Sequence, residues 1–266
     1  MRNQTYKEFE WIIIDDGSKD KTKEAIQKAL FVGAIEKELT KEDLCKCDLV
    51  IVSLYPQASI DYINENAHLF KKGAIVMDIS GVKRYVCDAL YETAKANDFV
   101  FIGAHPMAGL HLSGFEHSTA KIFNNSSLIL TPFEDTPEEC VNVIKELFLK
   151  IGFTNIQMST PDEHDRIIAF TSQLAHVVSN AYVKSPNSLL HKGFSAGSYK
   201  DLTRVAYLNE NMWSELFLEN HDNLINEIDS IVNNLVQYKV ALENNDRERL
   251  TELLRDGKIL KEKVDG

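Results

Sequence analysis

The sequence has little of what would place the protein in a membrane or in an oxidising compartment. No apolar run approaches the roughly 18 residues of a membrane-spanning helix. The start, Met-Arg-Asn-Gln-Thr-Tyr, lacks the apolar region of a signal peptide. The four cysteines, Cys45, Cys47, Cys87 and Cys140, do not form a zinc-ligand pattern with the histidines. We therefore expect a cytoplasmic protein with reduced thiols and no metal site.

Positive charge is also scarce. The chain has 29 lysines and arginines against 40 acidic residues, which gives a formal net charge of −11. This balance disfavours nucleic acid or an anionic membrane surface as a partner, although local arginines and backbone N–H groups can still bind a small anion. The length of 266 residues and the 44% of hydrophobic residues suffice for one large or two moderate domains with a buried core.

Short β-type runs alternate with helical patterns up to about residue 158. This alternation predicts a mostly parallel sheet with crossover helices. The predicted strands are Trp11 to Asp15, Leu49 to Leu54, Ala74 to Ile79, Phe99 to Ala104, Ser127 to Thr131 and Thr154 to Met158. The predicted helices lie near 21–32, 57–69, 84–96 and 137–151.

After Thr160-Pro161-Asp162 the strand patterns stop. Thr160 or Asp162 can cap a helix that continues to about Lys184, and further helical patterns cover about 200–206, 211–243 and 246–262. We therefore predict an α/β fold: a Rossmann-like, N-terminally truncated domain over residues 1–159, followed by an all-helical domain over 160–266. The apolar face of the long helix is too broad for one small domain to cover, which predicts packing on a second copy.

One histidine stands where α/β folds place their chemistry. His105 follows a buried-type strand, in a segment that Pro106 and Gly109 restrict. An imidazole with a pKa near 6.5 can accept a hydroxyl proton at neutral pH. Without its sequence context, a histidine after a strand is more often a loop-packing residue than a catalytic one.

Four segments, in order, resemble the prephenate dehydrogenase family. They are Asp78-Ile79-Ser80-Gly81-Val82-Lys83, His105-Pro106-Met107-Ala108-Gly109 with Ser113-Gly114, the helix with His164-Asp165 and Ser172-Gln173-Leu174-Ala175-His176, and Lys200-Asp201-Leu202-Thr203-Arg204-Val205-Ala206 with Met212-Trp213. The resemblance covers roughly residues 20–240. It implies a homodimeric enzyme of tyrosine biosynthesis that uses NAD to convert prephenate, a small-molecule substrate, to 4-hydroxyphenylpyruvate by oxidative decarboxylation.

The resemblance also implies roles for particular residues. A guanidinium such as that of Arg204 can bind a substrate carboxylate through two hydrogen bonds. The implied catalytic residues are His105 and Ser80, and the implied substrate-binding residues are Arg204, His176, His111 and Gly81. The implied cofactor-binding residues are Asp20, Ser53, Tyr55 and Pro56.

Several of these assignments have alternatives that the sequence leaves open. Ser80 either reaches the substrate hydroxyl or only terminates its strand. His176 either contacts substrate or is a hydrogen-bonded buried histidine. His111 stands where family members often have a glutamate, so any acidic gating role there is lost or changed. Lys83 and Arg84 either add positive charge for an anionic substrate or face solvent, and we favour solvent.

The glycines of a dinucleotide-binding turn are absent. A Rossmann domain needs Gly-x-Gly-x-x-Gly between its first strand and helix, and this sequence contains no Gly-x-Gly. Asp20, aligned backward from Gly33, falls at the position of the ribose-binding acid, which favours NAD over NADP. We therefore expect a cofactor domain without its first strand and helix.

The residues that stand there instead resemble a second family. Residues 3–22, with Asp15-Asp16-Gly17-Ser18, resemble the start of a family 2 glycosyltransferase, but nothing after residue 22 continues that resemblance. One hypothesis is that a glycosyltransferase-like fragment is joined, near residues 17–22, to a prephenate dehydrogenase without its first strand and helix. The alternative is that Trp11 to Asp15 forms a divergent second strand. Besides prephenate dehydrogenase, two functions stay open: an arogenate or cyclohexadienyl dehydrogenase, and a catalytically impaired dimeric remnant without productive NAD binding.

Overall fold

The computed structural model describes residues 12–13, 22–38, 40–109, 115–119 and 121–266. Two predicted site residues, Asp20 and His111, lie outside these ranges, as does Ser113-Gly114 of the histidine loop. Within them, none of the helices combines the length and the apolar character needed to cross a membrane.

The first part of the chain forms a five-stranded sheet with the order β3-β4-β5-β6-β7. Only the β5–β6 pair is antiparallel in this sheet, and the other three pairs are parallel. The predicted mostly parallel sheet is thus confirmed. The described strands are β1 (Ile12–Ile13), β2 (Lys37–Glu38), β3 (Leu49–Val52), β4 (Ile75–Asp78), β5 (Val100–Pro106), β6 (Ser127–Pro132) and β7 (Asn155–Met158).

Helices cover both faces of this sheet. Successive side chains of a strand point to opposite faces. One core cluster therefore includes Val76 and Phe101, packed with α2 and α3, and the other includes Met77 and Ile102, packed with α4. The helices of this part are α1 (Thr22–Phe31), α2 (Pro56–Asn66), α3 (Arg84–Ala96) and α4 (Glu138–Ile151).

β1 and β2 form a separate two-stranded parallel sheet. In the dinucleotide-binding strand order 3-2-1-4-5-6, they correspond to strands 2 and 3, and β3 corresponds to strand 4. Among the described strands, β3 pairs with β4 alone. No described strand therefore pairs with the other edge of β3, and β1 lies within the strand predicted over Trp11 to Asp15.

The second part is entirely helical over its described residues, as predicted. The Thr160 hydroxyl accepts a hydrogen bond from the Glu163 N–H at 3.2 Å, so Thr160 is the N-cap of the first helix. The helices are α5 (Pro161–Ile168), a π-helical turn (Ala169–Gln173), α6 (Leu174–Tyr182), α7 (Gly197–Thr203), α8 (Glu210–Glu219), α9 (His221–Glu243) and α10 (Arg247–Asp265). Short 3-10 turns occupy Lys41–Lys46, Ala67–Leu69, Phe115–His117, Pro186–Leu190 and Arg204–Ala206.

The single helix predicted over 211–243 is wrong, because the chain breaks at Asn220 into α8 and α9. Asn220 is fully buried, and its amide donates to the Asp165 carbonyl and to Gln173 Oε1, both at 2.8 Å. These tertiary hydrogen bonds stabilise a non-helical backbone at Asn220, which the sequence periodicity does not reveal.

Candidate active site between the two domains

The site lies where the carboxyl ends of parallel strands meet the helical domain. β3, β4 and β5 run parallel, so Ser53, Asp78 and His105 lie at the same edge of the sheet. This edge is where open α/β sheets bind ligands. α8 covers it closely: Leu216 Cδ1 lies 3.3 Å from the position that a Cβ on Gly81 would occupy. The missing side chain of Gly81 is what admits α8 here.

A buried ion pair lies beneath this edge. Lys83 and Asp78 have no exposed side-chain surface, and the Lys83 ammonium contacts Asp78 Oδ2 and donates to the Ala104 carbonyl at 2.7 Å. The Ser80 hydroxyl donates to the same Asp78 oxygen at 2.6 Å. Asp78 Oδ1 is buried without a hydrogen-bond partner among the described residues. Ser80 is thus turned toward Asp78 in this structure.

The expectation that Lys83 and Arg84 face solvent is wrong. Lys83 is buried because its ammonium is neutralised by Asp78 and joins two strands through Asp78 and Ala104. Arg84 pairs with Asp222 of α9 and so connects the two domains. Both cations are already neutralised within the protein.

His105 is hydrogen-bonded to a second histidine. Its Nδ1 lies 2.9 Å from His164 Nε2, and His164 Nδ1 lies 2.7 Å from Asp165 Oδ1. His164 and Asp165 are buried on α5. Among the described residues nothing hydrogen-bonds to His105 Nε2, which lies 4.0 Å from the Cβ position of Gly81. Nε2 is therefore the ring nitrogen available at the edge of the sheet.

Burial lowers the pKa of His105 well below its usual value of 6.5, and nearby His164 and Lys83 lower it further. The pKa of His164 is also lowered by burial, while its hydrogen bond to Asp165 acts in the opposite direction. Both imidazoles are thus neutral at neutral pH. A neutral imidazole has one donor nitrogen and one acceptor nitrogen.

Asp165 also holds the start of α3. Its Oδ1 accepts the Lys83 N–H at 2.8 Å and its Oδ2 accepts the Arg84 N–H at 2.9 Å. These N–H groups at the helix start lack intrahelical partners, and the partial positive charge there favours a carboxylate. One side chain therefore contacts the histidine pair and fixes α5 against α3.

Arg204 and His176 come together on the helical side. His176 Nδ1 lies 2.9 Å from the Val205 carbonyl, and its ring centroid lies 3.8 Å from that of Trp213. Burial lowers the pKa of His176, the hydrogen bond to Val205 opposes this, and the positive charge of Arg204 adds to the lowering. Arg204 is exposed and forms no ion pair with any described residue. Its guanidinium is therefore available for an anion.

The predicted cofactor residues Ser53, Tyr55 and Pro56 follow β3. Ser53 and Tyr55 are exposed, and Pro56 begins α2. Tyr55 Oη accepts a hydrogen bond from Asn209 of the helical domain at 3.4 Å. Ser53 lies at the carboxyl edge of the sheet, where open α/β sheets bind ligands, whereas the sequence supplies no glycine-rich turn for a diphosphate.

Two glutamates, Glu215 and Glu219, lie one turn apart on α8, and the first of them contacts the start of α2. Glu215 Oε1 accepts the Gln57 N–H at 3.0 Å. Burial, with the neighbouring charge of Glu215, raises the pKa of Glu219 to about 8. Glu219 Oε2 is buried and has no hydrogen-bond partner among the described residues. Glu219 is therefore protonated at neutral pH.

Sequence reasoning did not assign roles to His164, Asp165 or Glu219. His164-Asp165 was recognised only as part of a motif, because its contact with His105 joins residues far apart in the sequence. Asp165, Ala169 and His176 are spaced so that a regular α-helix would place them on one face, which is a signal the sequence offers, but a π-helical turn over Ala169–Gln173 interrupts that spacing.

These features define a class: a Rossmann-like α/β domain joined to a helical domain, with a histidine where the two meet and an exposed arginine on the helical side. Family models then identify it more closely. Residues 9–156 match the nucleotide-binding domain of prephenate dehydrogenase, and residues 160–256 match its dimerization domain. The chain belongs to the prephenate dehydrogenase family.

Individual relatives agree with this. The chain is 28% identical over 215 residues to prephenate dehydrogenase of Bacillus subtilis, covering 79% of this chain and 57% of that enzyme. It is 27% identical over 236 residues to cyclohexadienyl dehydrogenase of Zymomonas mobilis, covering 86% of this chain and 79% of that enzyme. The chain thus spans little more than half of the Bacillus enzyme.

Solved structures share the fold. Prephenate dehydrogenase of Aquifex aeolicus, in complex with hydroxyphenyl propionate and NAD+, has a TM-score of 0.82 and 26% identity, covering 99% of this chain and 91% of that one. Arogenate dehydrogenase of Synechocystis has a TM-score of 0.78 and 21% identity, covering 95% and 90%, and shows the fold alone.

Proposed function

We propose that this chain is a prephenate dehydrogenase, which converts prephenate to 4-hydroxyphenylpyruvate by NAD-dependent oxidative decarboxylation. The observation that supports this most directly is the neutral histidine His105 at the edge of the sheet, together with the exposed guanidinium of Arg204, in the helical domain facing that edge, which forms no ion pair with any described residue. The names of the relatives support the substrate class.

Each residue has a defined task in the proposed reaction. His105 Nε2 accepts the proton of the substrate's 4-hydroxyl as hydride leaves the same carbon, and it returns that proton as the phenol forms. The ring carboxylate departs as carbon dioxide, so the ring becomes aromatic. Arg204 binds a carboxylate through its guanidinium, and His176 with Trp213 borders the substrate ring. Bound NAD supplies the hydride acceptor.

The remaining predicted residues keep their proposed roles. Ser53, Tyr55 and Pro56 would hold the nicotinamide end of NAD, and Asp20 the ribose. His111 and Gly81 belong to the proposed substrate pocket. Ser80, whose hydroxyl donates to Asp78, acts on the substrate only if that hydroxyl turns.

The two domains divide at 159/160 in this proposal, and the free thiols of the four cysteines favour a cytoplasmic location.

Turnover of the two candidate substrates tests this function. We expect the protein to reduce NAD in the presence of prephenate, with 4-hydroxyphenylpyruvate and carbon dioxide as products, and to use NADP poorly. Arogenate differs in bearing an amino group in place of the keto group. Faster turnover of arogenate would reassign the chain to the alternative dehydrogenase, and turnover of neither would contradict both assignments.

A second candidate function is a dimeric substrate-binding remnant without productive NAD binding. The observation that favours it is the absence of any Gly-x-Gly, together with the unfilled strand position beside β3 among the described strands. Calorimetric titration with NAD and with hydroxyphenyl propionate separates the two. Binding of both ligands supports the enzyme, whereas binding of hydroxyphenyl propionate alone supports the remnant.

We also propose that the protein acts as a homodimer. Apolar side chains on α9 and α10 are exposed to an unusual degree, and such faces mark contact surfaces. They include Ile225, Val232, Leu235, Val236, Val240 and Leu254. The match of residues 160–256 to a dimerization domain supports a second copy as the partner.

A further inference from the structure

We propose that Asp165 and His164 are positioning residues that fix the tautomer of His105, with the proton on Nδ1 and a free electron pair on Nε2. The inference rests on the proposed function only for the use made of that electron pair. The tautomer itself follows from the hydrogen bonds of the described residues.

Asp165 determines the direction of the hydrogen bonds between the three side chains. Its Oδ1 already accepts the Lys83 N–H, and Oδ2 accepts the Arg84 N–H. An ionised carboxylate has only acceptor oxygens, so His164 Nδ1, at 2.7 Å from Oδ1, must be the donor.

The position of the proton on His164 determines the position of the proton on His105. The pKa of His164 is lowered below its usual value, so the neutral ring that donates through Nδ1 has an unprotonated Nε2. That nitrogen is 2.9 Å from His105 Nδ1, which must therefore donate. In a neutral His105 ring, Nε2 is then the acceptor, and it is the nitrogen beside Gly81. In the opposite direction a neutral His164 would carry its proton on Nε2, and its unprotonated Nδ1 would face the Asp165 carboxylate, so that two acceptors would meet with no proton between them.

The surroundings keep this arrangement rigid. His164 and Asp165 have no exposed side-chain surface, so water does not compete for their hydrogen bonds. Asp165 is held from a second side because Asn220 donates to its carbonyl at 2.8 Å. Both ring nitrogens of His164 and both carboxylate oxygens of Asp165 are paired, and such a buried, paired arrangement favours a single placement of the protons.

The consequence for the proposed reaction is specific. With the proton on Nδ1, His105 can accept the substrate hydroxyl proton at Nε2 without any rearrangement. With the proton on Nε2, the ring would present a donor to the hydroxyl and could not act as base. In other enzymes, loss of a carboxylate that orients a catalytic histidine lowers kcat by about 10⁴-fold, because the wrong tautomer forms.

The direct test is nitrogen NMR of the full-length protein labelled with ¹⁵N-histidine, in which the two ring nitrogens give different signals when protonated and unprotonated. His105→Gln identifies the His105 signals by their loss. We expect Nδ1 of His105 to be protonated and Nε2 to be unprotonated in the wild-type protein without substrate. A wild-type spectrum with the proton on Nε2 would overturn the proposal.

Variants test the cause of the tautomer. In Asp165→Asn the amide can donate to His164 Nδ1, so we expect the His105 proton to move to Nε2 or to be shared between both nitrogens. Asp162→Asn is the matched control, since it removes one carboxylate from the same helix at an exposed position, and it should leave the spectrum unchanged. If Asp165→Asn folds and keeps the wild-type His105 signals, the carboxylate does not set the tautomer. His164→Leu, which removes the acceptor of the Nδ1 proton, gives the same test if Asp165→Asn does not fold.

Kinetics connect the spectrum to the reaction. We expect Asp165→Asn to lower kcat by about 10²- to 10⁴-fold while KM for prephenate changes little, because Arg204 is untouched. Equal loss of kcat in Asp162→Asn would show a structural effect and overturn the proposal. The wild-type tautomer as expected, without any turnover of prephenate, would contradict the proposed function and leave the tautomer assignment supported.

Discussion

Burial shifts the pKa values of two side chains, His105 and Glu219, in opposite directions. It lowers the pKa of His105, a base, and it raises the pKa of Glu219, an acid, to about 8. Both groups are therefore neutral near pH 7, which is the physical result of disfavouring charge in a poorly solvated place. Arg204 differs because it is exposed and stays charged. The site thus combines a neutral acceptor with one free cation among its described residues.

The proposed role of Arg204 predicts a change in KM. If Arg204 binds the substrate carboxylate, Arg204→Gln removes a charge-assisted hydrogen bond and should raise KM for prephenate by about 10- to 100-fold. Arg204→Lys should recover only part of this, because an ammonium cannot form the two parallel hydrogen bonds. Steady-state kinetics measure both, with Arg249→Gln on α10 as a control. An unchanged KM in Arg204→Gln would remove Arg204 from the site.

The raised pKa of Glu219 predicts that the stability of the protein depends on pH. In the folded protein this pKa is about 8, above its ordinary value of 4.5. The contribution of protonated Glu219 to the free energy of unfolding is therefore complete below about pH 4.5 and is lost as the pH rises through about 8. Glu219→Gln keeps the neutral shape and removes the titration. Thermal unfolding from acidic to alkaline pH should therefore show the Tm of Glu219→Gln rising relative to wild type over this interval. A constant difference would contradict the raised pKa.

The alternation of strands and helices was predictable from the sequence because each element has its own hydrophobic period. α3 begins and ends at the residues predicted, and the strands of the five-stranded sheet lie within or close to their predicted ranges. The break at Asn220 and the π-helical turn at Ala169–Gln173 were not predictable, since both depend on side-chain contacts between distant segments. For the same reason His105 was predicted, but its contact with His164 was not.

Close packing of α3 on β5 predicts that replacing one glycine of β5 destabilises the folded protein. A Cβ on Gly103 would lie 2.8 Å from Cys87 Sγ of α3 and would also meet Thr131 of β6. Gly103→Ala should lower the free energy of unfolding by about 1–3 kcal/mol. Gly109→Ala is the control, because no atom lies within 4 Å of its Cβ position. Denaturant unfolding measures both, and equal stability of the two variants would contradict the packing described.

At the scale of the whole molecule, the helical domain has two faces with different tasks. One face meets the carboxyl edge of the sheet through α5 and α8. The other, on α9 and α10, leaves apolar side chains exposed in the single chain. A dimer that covers the second face would leave the first face free to act on the cleft, which is consistent with one site in each copy.

The proposed dimer predicts the effect of one charge. Leu235 on α9 is 59% exposed, and Leu235→Glu would place a carboxylate in the apolar contact, where a charge is costly to bury. Sedimentation should show a dimer for wild type and a monomer for Leu235→Glu at the same concentration. Asn233→Glu, on a polar position of the same helix, should remain dimeric. A monomeric wild-type protein would contradict the proposal.

The central claim is that His105, as a neutral base, takes the substrate hydroxyl proton. The most direct measurement is the rate of prephenate-dependent NAD reduction by wild type and His105→Gln across pH. Because the pKa of His105 is lowered, wild-type kcat/KM should stay constant as the pH falls through 6.5 and decline only at lower pH. His105→Gln should be about 10²- to 10⁴-fold slower, with unchanged thermal unfolding. Similar rates in the two proteins, or a wild-type decline centred at or above pH 6.5, would contradict it.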